Sequence, residues 1–377
     1  MLLKNLEVKM RYCKKCLMPD TRPRIIFDED GICNACKYSE DKKEIDWESR
    51  RQEFLELIEE NKTKNSWWDC VVPWSGGKDS SSIAYRLKFE FGLNPLLVTF
   101  SPQLPTDVGN LNREEIVRLG FDHIFFRPDQ NIHRKLARRF FIERGNQKVA
   151  WDAGVNVLPV QVALKYKIPI VFYAEHGESE YGGKIIKEES RKIRDFTEVI
   201  ENQIGDDPRN WVSDEITLKD LNPYIYPDIN EIKKAGIKIV YFGYFFRWSE
   251  LNNFNFAKTH WNFHTTPFGR TEGTFTDYDS LDDKSDDIYY YMQYIKFGFG
   301  RAIRDASRKI QNDQLTRGQG LELAKKYDGE FPRRYFSDML NYLNLTEKEF
   351  YEIVDKHRNS EIWKKERNEW KLKYPLE

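Results

Sequence analysis

The sequence predicts an α/β fold: a parallel sheet with helices on both faces, a small four-cysteine module before it and a helical region after it. Three observations predict this. Short, continuously apolar runs alternate with helix-length segments, the pattern of buried parallel strands and their crossover helices. Four of the five cysteines fall before residue 37, in two C-x2-C pairs. Beyond about Phe246 the strand-like runs give way to helical patterns.

Taken in order, residues 1–45 form the first unit. Arg11 to about Ser39 holds few aliphatic residues and cannot bury much core by itself. A polar helix over Trp47–Glu60 opens the second unit, residues 46–245. There Cys70–Pro73 reads as a buried strand and Lys78–Phe91 as a helix. Leu96–Phe100 is a second strand, Asn110–Leu119 a helix and His123–Phe126 a third strand. Asn131–Glu143 and Leu158–Tyr166 are helices, Ile168–Tyr173 a fourth strand and Ile237–Tyr241 a fifth. In the third unit, residues 246–377, Asp286–Gln311 is expected as one long aromatic-rich helix. Thr316-x-x-Gln319 and Thr346-x-x-Glu349 have capping-box spacing and should each start a helix. Glu361–Lys373 is expected as a charged surface helix. The chain holds no internal repeat or low-complexity tract.

A chain of 377 residues, 40% hydrophobic and 32% charged, has the make-up of a soluble globular protein with room for two domains. The 25 Phe, 20 Tyr and 10 Trp serve core packing first, with some available to line a pocket for a sugar or nucleobase. A formal net charge of -1 lacks the basic excess of a nucleic-acid binder. No apolar run approaches a membrane span, and Met1–Glu7 lacks the apolar stretch of a secretory signal, so a cytoplasmic protein is expected. In a reducing compartment the cysteines need an explanation other than disulfides.

Cys13-x2-Cys16, sixteen intervening residues and Cys33-x2-Cys36 give the spacing of a structural Zn²⁺ site with four thiolates. Four soft ligands close the shell and leave no place for a catalytic water. An iron–sulfur cluster or redox pairs suit the same thiolates. Cys70 stands alone in a strand and reads as a small buried hydrophobe.

Ser75-Gly76-Gly77-Lys78-Asp79-Ser80 lies between the first strand and its helix. Two glycines let backbone approach an anion, and the helix N-terminus directs amides and its positive dipole end at it. Lys78 adds a point charge, Ser75 and Ser80 add hydroxyls, and Asp79 beside a phosphate makes sense as a Mg²⁺ ligand. The spacing is neither a Walker A loop nor the dinucleotide G-x-G-x-x-G. It is similar to the SGGxDS signature of the pyrophosphatase-loop family, adenine nucleotide alpha-hydrolase-like and Rossmann-like in fold. That resemblance implies ATP bound at Ser75, Gly76, Gly77, Lys78, Asp79 and Ser80. It also implies adenine at the end of the second strand, Thr99-Phe100-Ser101, and cleavage of ATP to AMP and pyrophosphate.

Further motifs carry a narrower resemblance over almost the whole length. They are Arg11-Tyr-Cys-Lys-Lys-Cys-Leu-Met-Pro-Asp-Thr21, Asp30-Gly-Ile-Cys-Asn-Ala-Cys36, the loop, Glu175-His-Gly-Glu-Ser-Glu-Tyr-Gly182, Tyr294-Ile-Lys-Phe-Gly-Phe-Gly-Arg301 and Lys326-Tyr-Asp-Gly329. Together they resemble the N-acetyl sugar amidotransferases of bacterial surface polysaccharide (O-antigen) and flagellin sugar pathways, of the pseudaminic or legionaminic acid type. Members often read Gly-Glu-Asn after the fourth strand, where this chain has Glu175-His176-Gly177-Glu178. The resemblance implies adenylation of an acetamido oxygen and its replacement by ammonia. The ammonia would come from a separate class I-type glutaminase, since no Cys-His-Glu triad can be assembled around Cys70. The acceptor would be an N-acetylated sugar or nucleotide sugar.

The expected catalytic residues are Lys78, Asp79 and Glu178. Glu175, His176 and Glu180, after the fourth strand, are candidates to contact substrate. Lys296, Arg301 and Arg304, read on one helical face, are candidates for an anionic substrate, with Gly298 and Gly300 inside that helix as a sign of close approach. Two other functions fit the loop: a tRNA-modifying enzyme of the same superfamily, in which the cysteine module holds RNA, and a scaffold that binds ATP without turnover. Neither persulfide chemistry, for which only Cys70 would remain, nor the charge balance favours the RNA reading.

Overall fold

The computed structural model describes residues 9–62, 66–184, 187–194 and 199–377. Its centre is β1 (Cys70–Pro73), whose residues feed two cores in alternation. Val71 faces one core with Leu96, Val98 and Val171, while Cys70 and Val72 face the other with Leu97, Ile170 and Phe172. A strand buried on both faces has to be apolar throughout, which is why it shows no alternation.

β1 pairs in parallel with β2 (Pro95–Phe100) and β4 (Ile170–Tyr173). Parallel pairing continues to β3 (Asp122–Phe126) and β5 (Lys238–Tyr241), giving the order β3-β2-β1-β4-β5. The chain builds outward from β1 to β3, then returns to lay β4 on the other side of β1. The two loops that leave β1 and β4 therefore diverge to opposite faces and open a crevice at their C-terminal ends.

The helices that position this crevice are α1 (Asn34–Glu44), α2 (Trp47–Glu60), α3 (Lys78–Tyr85), α4 (Asp107–Val117), α5 (Gln130–Arg144), α6 (Val149–Tyr166) and α7 (Gly177–Tyr181). The expected helix to Phe91 is α3 followed by a π-helical turn over Arg86–Glu90. α6 is twice the expected length and carries Pro159 in its interior. The hydrogen bond lost there is offset by burial of Val157, Leu158, Val160 and Ala163. Gly154 lets α6 lie on β2: a Cβ there would come within 2.3 Å of the Phe100 ring.

After α8 (Ile229–Ala235), α9 (Phe242–Phe245) and α10 (Glu250–His260), the C-terminal region departs from expectation twice. The long helix is two, α11 (Asp286–Phe297) and α12 (Arg301–Gln311). Gly298, at φ +75°, ends the first, and the second begins on the Asp328 carboxylate, which accepts from the amides of Gly300 (2.8 Å) and Ile303 (3.0 Å). Two separated sequence motifs thus meet as a helix break and its cap. Capping boxes start α13 (Arg317–Tyr327) and α15 (Glu347–His357) as expected, with α14 (Phe336–Leu343) between them.

The second departure is at the end of the chain. Glu361–Lys373 is no helix but contains the hairpin β6 (Trp363–Glu366) and β7 (Glu369–Leu372), turned by Arg367 (φ +47°) and Asn368 (φ +71°). A two-residue loop with both φ positive matches the strand twist, and Trp363 anchors it by donating to the Ile295 carbonyl at 2.8 Å. Among the described residues no helix is long and apolar enough to cross a membrane.

Gly154→Ala should destabilise the fold by about 1–3 kcal/mol, the usual cost of overpacking a core. Gly318→Ala, in α13 where an added Cβ meets nothing within 4 Å, should be neutral or slightly stabilising. Urea denaturation of both variants checks the contrast, and equal midpoints would contradict the tight β2–α6 contact.

Candidate functional site

The glycine-rich loop is held by Arg113 of α4 and by its own two serines. Gly76 sits at φ +91°, and a Cβ there would fall 2.4 Å from Arg113 Cγ of α4. Arg113 donates to the Ser75 carbonyl at 2.9 Å and ties the loop to α4. Ser75 Oγ accepts from the Gly77 amide at 3.2 Å, and Ser80 Oγ from the Ser75 amide at 3.4 Å. The loop delivers Gly77 as the residue before the first turn of α3, so α3 aims its free amides into the crevice.

Lys78 is buried, 3% exposed, between two carboxylates: Asp79 at 2.7 Å and Asp279 from the C-terminal region. Burial disfavours its charge, but Asp279 and Asp79 outweigh burial and hold it protonated. Asp79 Oδ1 accepts from Asn253 Nδ2 at 2.9 Å. Asp279 is fixed through its carbonyl by Arg301 Nη2 at 2.6 Å, and its Oδ2 has no hydrogen-bond partner.

These groups form one wall of a cavity of about 500 Å³ at the C-terminal ends of β1 and β4. Glu175 and Tyr181 stand on the β4 side, Tyr181 donating to the Glu175 carboxylate. Burial, then the charge of Asp79, pushes Glu175 up. The rest of the lining includes Trp151, Asp152, Asp282, Tyr290 and Arg304, with Arg308 over the Tyr181 ring. Lys148 crosses the Trp151 ring at 4.0 Å and pairs with Asp286 and, at 3.4 Å, with Asp283. Burial pushes Asp152 up to about 7 and Asp282 to about 6.

Of the expected site residues, Ser75 to Ser80, Glu175 and Arg304 line the cavity. The others are used elsewhere. Thr99 bonds the Trp74 carbonyl and His123, Phe100 packs against His133 and Tyr224, and Ser101 bonds the Pro102 carbonyl, so none of these side chains reaches the cavity. Glu178 turns away to Arg24 of the cysteine module (Nε at 3.1 Å), and Glu180 pairs with Lys42 of α1 at 2.7 Å. His176 is buried against Ser179 Oγ (2.7 Å) and Tyr241, and burial lowers it to about 4. The helix break at Gly298 separates Lys296, which donates to the Arg144 carbonyl at 3.2 Å, from the other two cations. Arg301 is 2% exposed and lies under the site, beside Asp305 at 3.7 Å.

Sequence reasoning missed Asp279, Asp282, Lys148, Trp151, Asp152, Arg113 and Arg308. The density of acids from Asp277 to Asp287 is a signal for the first two. Nothing local marks the rest, which lie on or beside the helices α4, α6 and α12.

The Sγ atoms of Cys13, Cys16, Cys33 and Cys36 all lie within 4.8 Å of one another, buried. Cys13 and Cys36 are 3.9 Å apart, Cys16 and Cys33 3.7 Å. Four thiolates at Zn–S distances of about 2.3 Å stand about 3.8 Å apart, so the cluster fits a tetrahedral zinc. Amides of Cys16, Met18 and Cys33 point at the sulfurs at 3.2 to 3.5 Å, as donors to thiolates do. Cys70 is remote from them, buried in β1.

Residues 272–376 match the family model described as LPS biosynthesis protein WbpG-like, C-terminal domain. This match supports the resemblance to sugar amidotransferases drawn from the motifs. No curated protein matches the chain. Among solved structures, a predicted subunit of tRNA methyltransferase from Methanocaldococcus jannaschii is similar at 16% identity, over 51% of this chain and 74% of that one, with a TM-score of 0.27.

Metal analysis of purified protein should find about one zinc per chain, as a closed four-thiolate shell requires. Removing it with a chelator should lower the melting temperature. Iron with visible absorption, or a metal-free protein of unchanged stability, would contradict the assignment.

Proposed function

We propose that this protein is an ATP-dependent enzyme of bacterial surface-sugar biosynthesis that converts an N-acetyl group of a sugar into an acetamidino group. The observation that carries the reading is a pairing within one chain. A phosphate-type loop with a buried, carboxylate-flanked Lys78 stands at the sheet's switch point, and a lipopolysaccharide-pathway domain supplies Asp279 to that same lysine.

The chemistry suits such a site. An acetamide has a weak electrophile and a poor leaving oxygen. Attack of that oxygen on the α-phosphorus of ATP releases pyrophosphate and turns the oxygen into part of a good leaving group. Ammonia then forms the new C–N bond, the C–O bond breaks, and the electron pair leaves on AMP with the former acetamide oxygen. Loop amides, the α3 N-terminus and Lys78 stabilise the charge that develops on the phosphates. Asp79 would hold Mg²⁺, which supplies further charge neutralisation on the departing pyrophosphate. Asp152 and Asp282 offer acceptors for the hydroxyls of a sugar, and Trp151, with Lys148 over its ring, adds an aromatic edge to the same lining. A separate glutaminase would supply ammonia.

Asp79→Ala should abolish pyrophosphate release while the protein stays folded, since Asp279 still pairs the buried Lys78; a retained cooperative melting transition checks the fold. Candidate N-acetyl sugars carrying heavy oxygen in the acetyl group, incubated with ATP, Mg²⁺ and ammonium, should give heavy AMP and an amidino sugar by high-resolution mass spectrometry. Unlabelled AMP, or full activity of Asp79→Ala, would remove the mechanism.

A further inference from the structure

Behind the Tyr181–Arg308 wall of the main cavity lies a second cavity of about 20 Å³, room for one molecule the size of water. Tyr181 and Arg308 line both, so those two side chains stand between the spaces. The small cavity sits between α1, α7, α10 and α12, and most of its polar groups are already paired. Lys42 holds Glu180 at 2.7 Å, Ser39 donates to the Gln311 carbonyl, and Asn312 donates to the Arg308 carbonyl at 2.8 Å. Two groups are left without a hydrogen bond, Arg308 Nε as a donor and Glu250 Oε1 as an acceptor, and of these only Glu250 can receive a donor. It is 7% exposed, its Oε2 lies 3.6 Å from Arg308, and its Oε1 accepts no hydrogen bond.

A buried carboxylate oxygen without a donor is costly, and a small cavity beside it calls for a donor that fits. The proposed reaction needs one small donor-bearing molecule besides ATP and the sugar. That molecule is the nitrogen nucleophile, and the main cavity must already hold the two large substrates.

We infer that the 20 Å³ cavity is the holding site for ammonium, with Glu250 Oε1 as its acceptor and the Tyr181–Arg308 pair as the partition through which the nitrogen passes to the main cavity. This rests on the amidotransferase reading. The size admits ammonium and excludes substituted amines. Burial, then the charge of Asp279, pushes Glu250 up to about 7, so it is available both as a carboxylate that receives ammonium and as an acid beside neutral ammonia.

The test is steady-state AMP formation with ammonium chloride as nitrogen source. Glu250→Gln should raise the KM for ammonium by about tenfold or more, the factor for losing a hydrogen bond to a charged group, and leave the KM for ATP and for the sugar within about twofold. On the wild type, potassium, which matches ammonium in size and charge, should compete with ammonium alone, and methylammonium should fail to substitute; this arm decides the matter if the variant does not fold. An unchanged ammonium KM in a folded variant, or no competition by potassium, would mean that the cavity holds a structural water and would overturn the inference alone. AMP formation independent of ammonium in the wild type would overturn the amidotransferase reading and this site with it.

Discussion

The buried charge of Lys78 is the interaction on which the rest depends. A lysine 3% exposed needs a partner, since the cost of removing an ammonium from water exceeds what packing returns. Asp79, its neighbour in sequence, is 35% exposed at its side chain and shares its other oxygen with Asn253. The buried partner is Asp279, two hundred residues on, and Asp279 is itself fixed by Arg301 of α12. The α/β sheet cannot complete its own site. The C-terminal region is part of the loop's electrostatics as much as part of the wall opposite.

The cysteine module acts on the same site from the other side. Its residues grip the segment after β4. Arg24 takes Glu178, Lys42 takes Glu180, Arg22 donates to the Gly182 carbonyl, and Asn34 donates to the Gly183 carbonyl. Between the gripped residues stands Tyr181, which turns inward to Glu175 and lies under Arg308 at 3.7 Å from its ring centre. The module also docks on α12, where the Leu17 amide bonds Ser307 and Gln311 reaches Cys36 Sγ. Breaking one partner of a buried pair such as Lys42–Glu180 costs about 3–5 kcal/mol, so the module has the energy to hold these side chains in place. A closed metal shell with no open position fits that positioning role.

The fold was legible to the extent that burial is uniform. Strands buried on both faces and helices with capping boxes declared themselves, and the loop was plain because its glycines and charges are contiguous. What failed had a common cause. The acids after β4 lie close together in sequence, yet Glu175 faces the cavity from the strand end while Glu178 and Glu180, on α7, face the cysteine module. Lys296 and Arg301 look like one face only if Gly298 is helical; at φ +75° it is the stop, and its neighbours Met10 and Ile362 come from both ends of the chain. The terminal hairpin was hidden because Arg367-Asn368 is a weak turn signal beside so many charges. Asp152 and Trp151 were unreadable because their role arises from which helix end the crevice meets.

The acids that remain around the cavity argue for what it is built to receive. Burial pushes Asp152 up to about 7 and Asp282 to about 6, and the like charge of Asp286 adds to the effect at both. A core selected for stability alone would replace such groups with apolar ones, since their burial opposes folding whichever protonation state they adopt. Their retention beside Arg304, Trp151 and Tyr290 puts acceptors and the phosphate-type loop into one cavity. The loop offers amides and a lysine for anionic oxygens. The acids offer acceptors for a hydroxyl-rich partner, with Lys148, Arg304 and Arg308 beside them. Two ligands of those characters, brought edge to edge, are what a transfer between a nucleotide and a sugar requires.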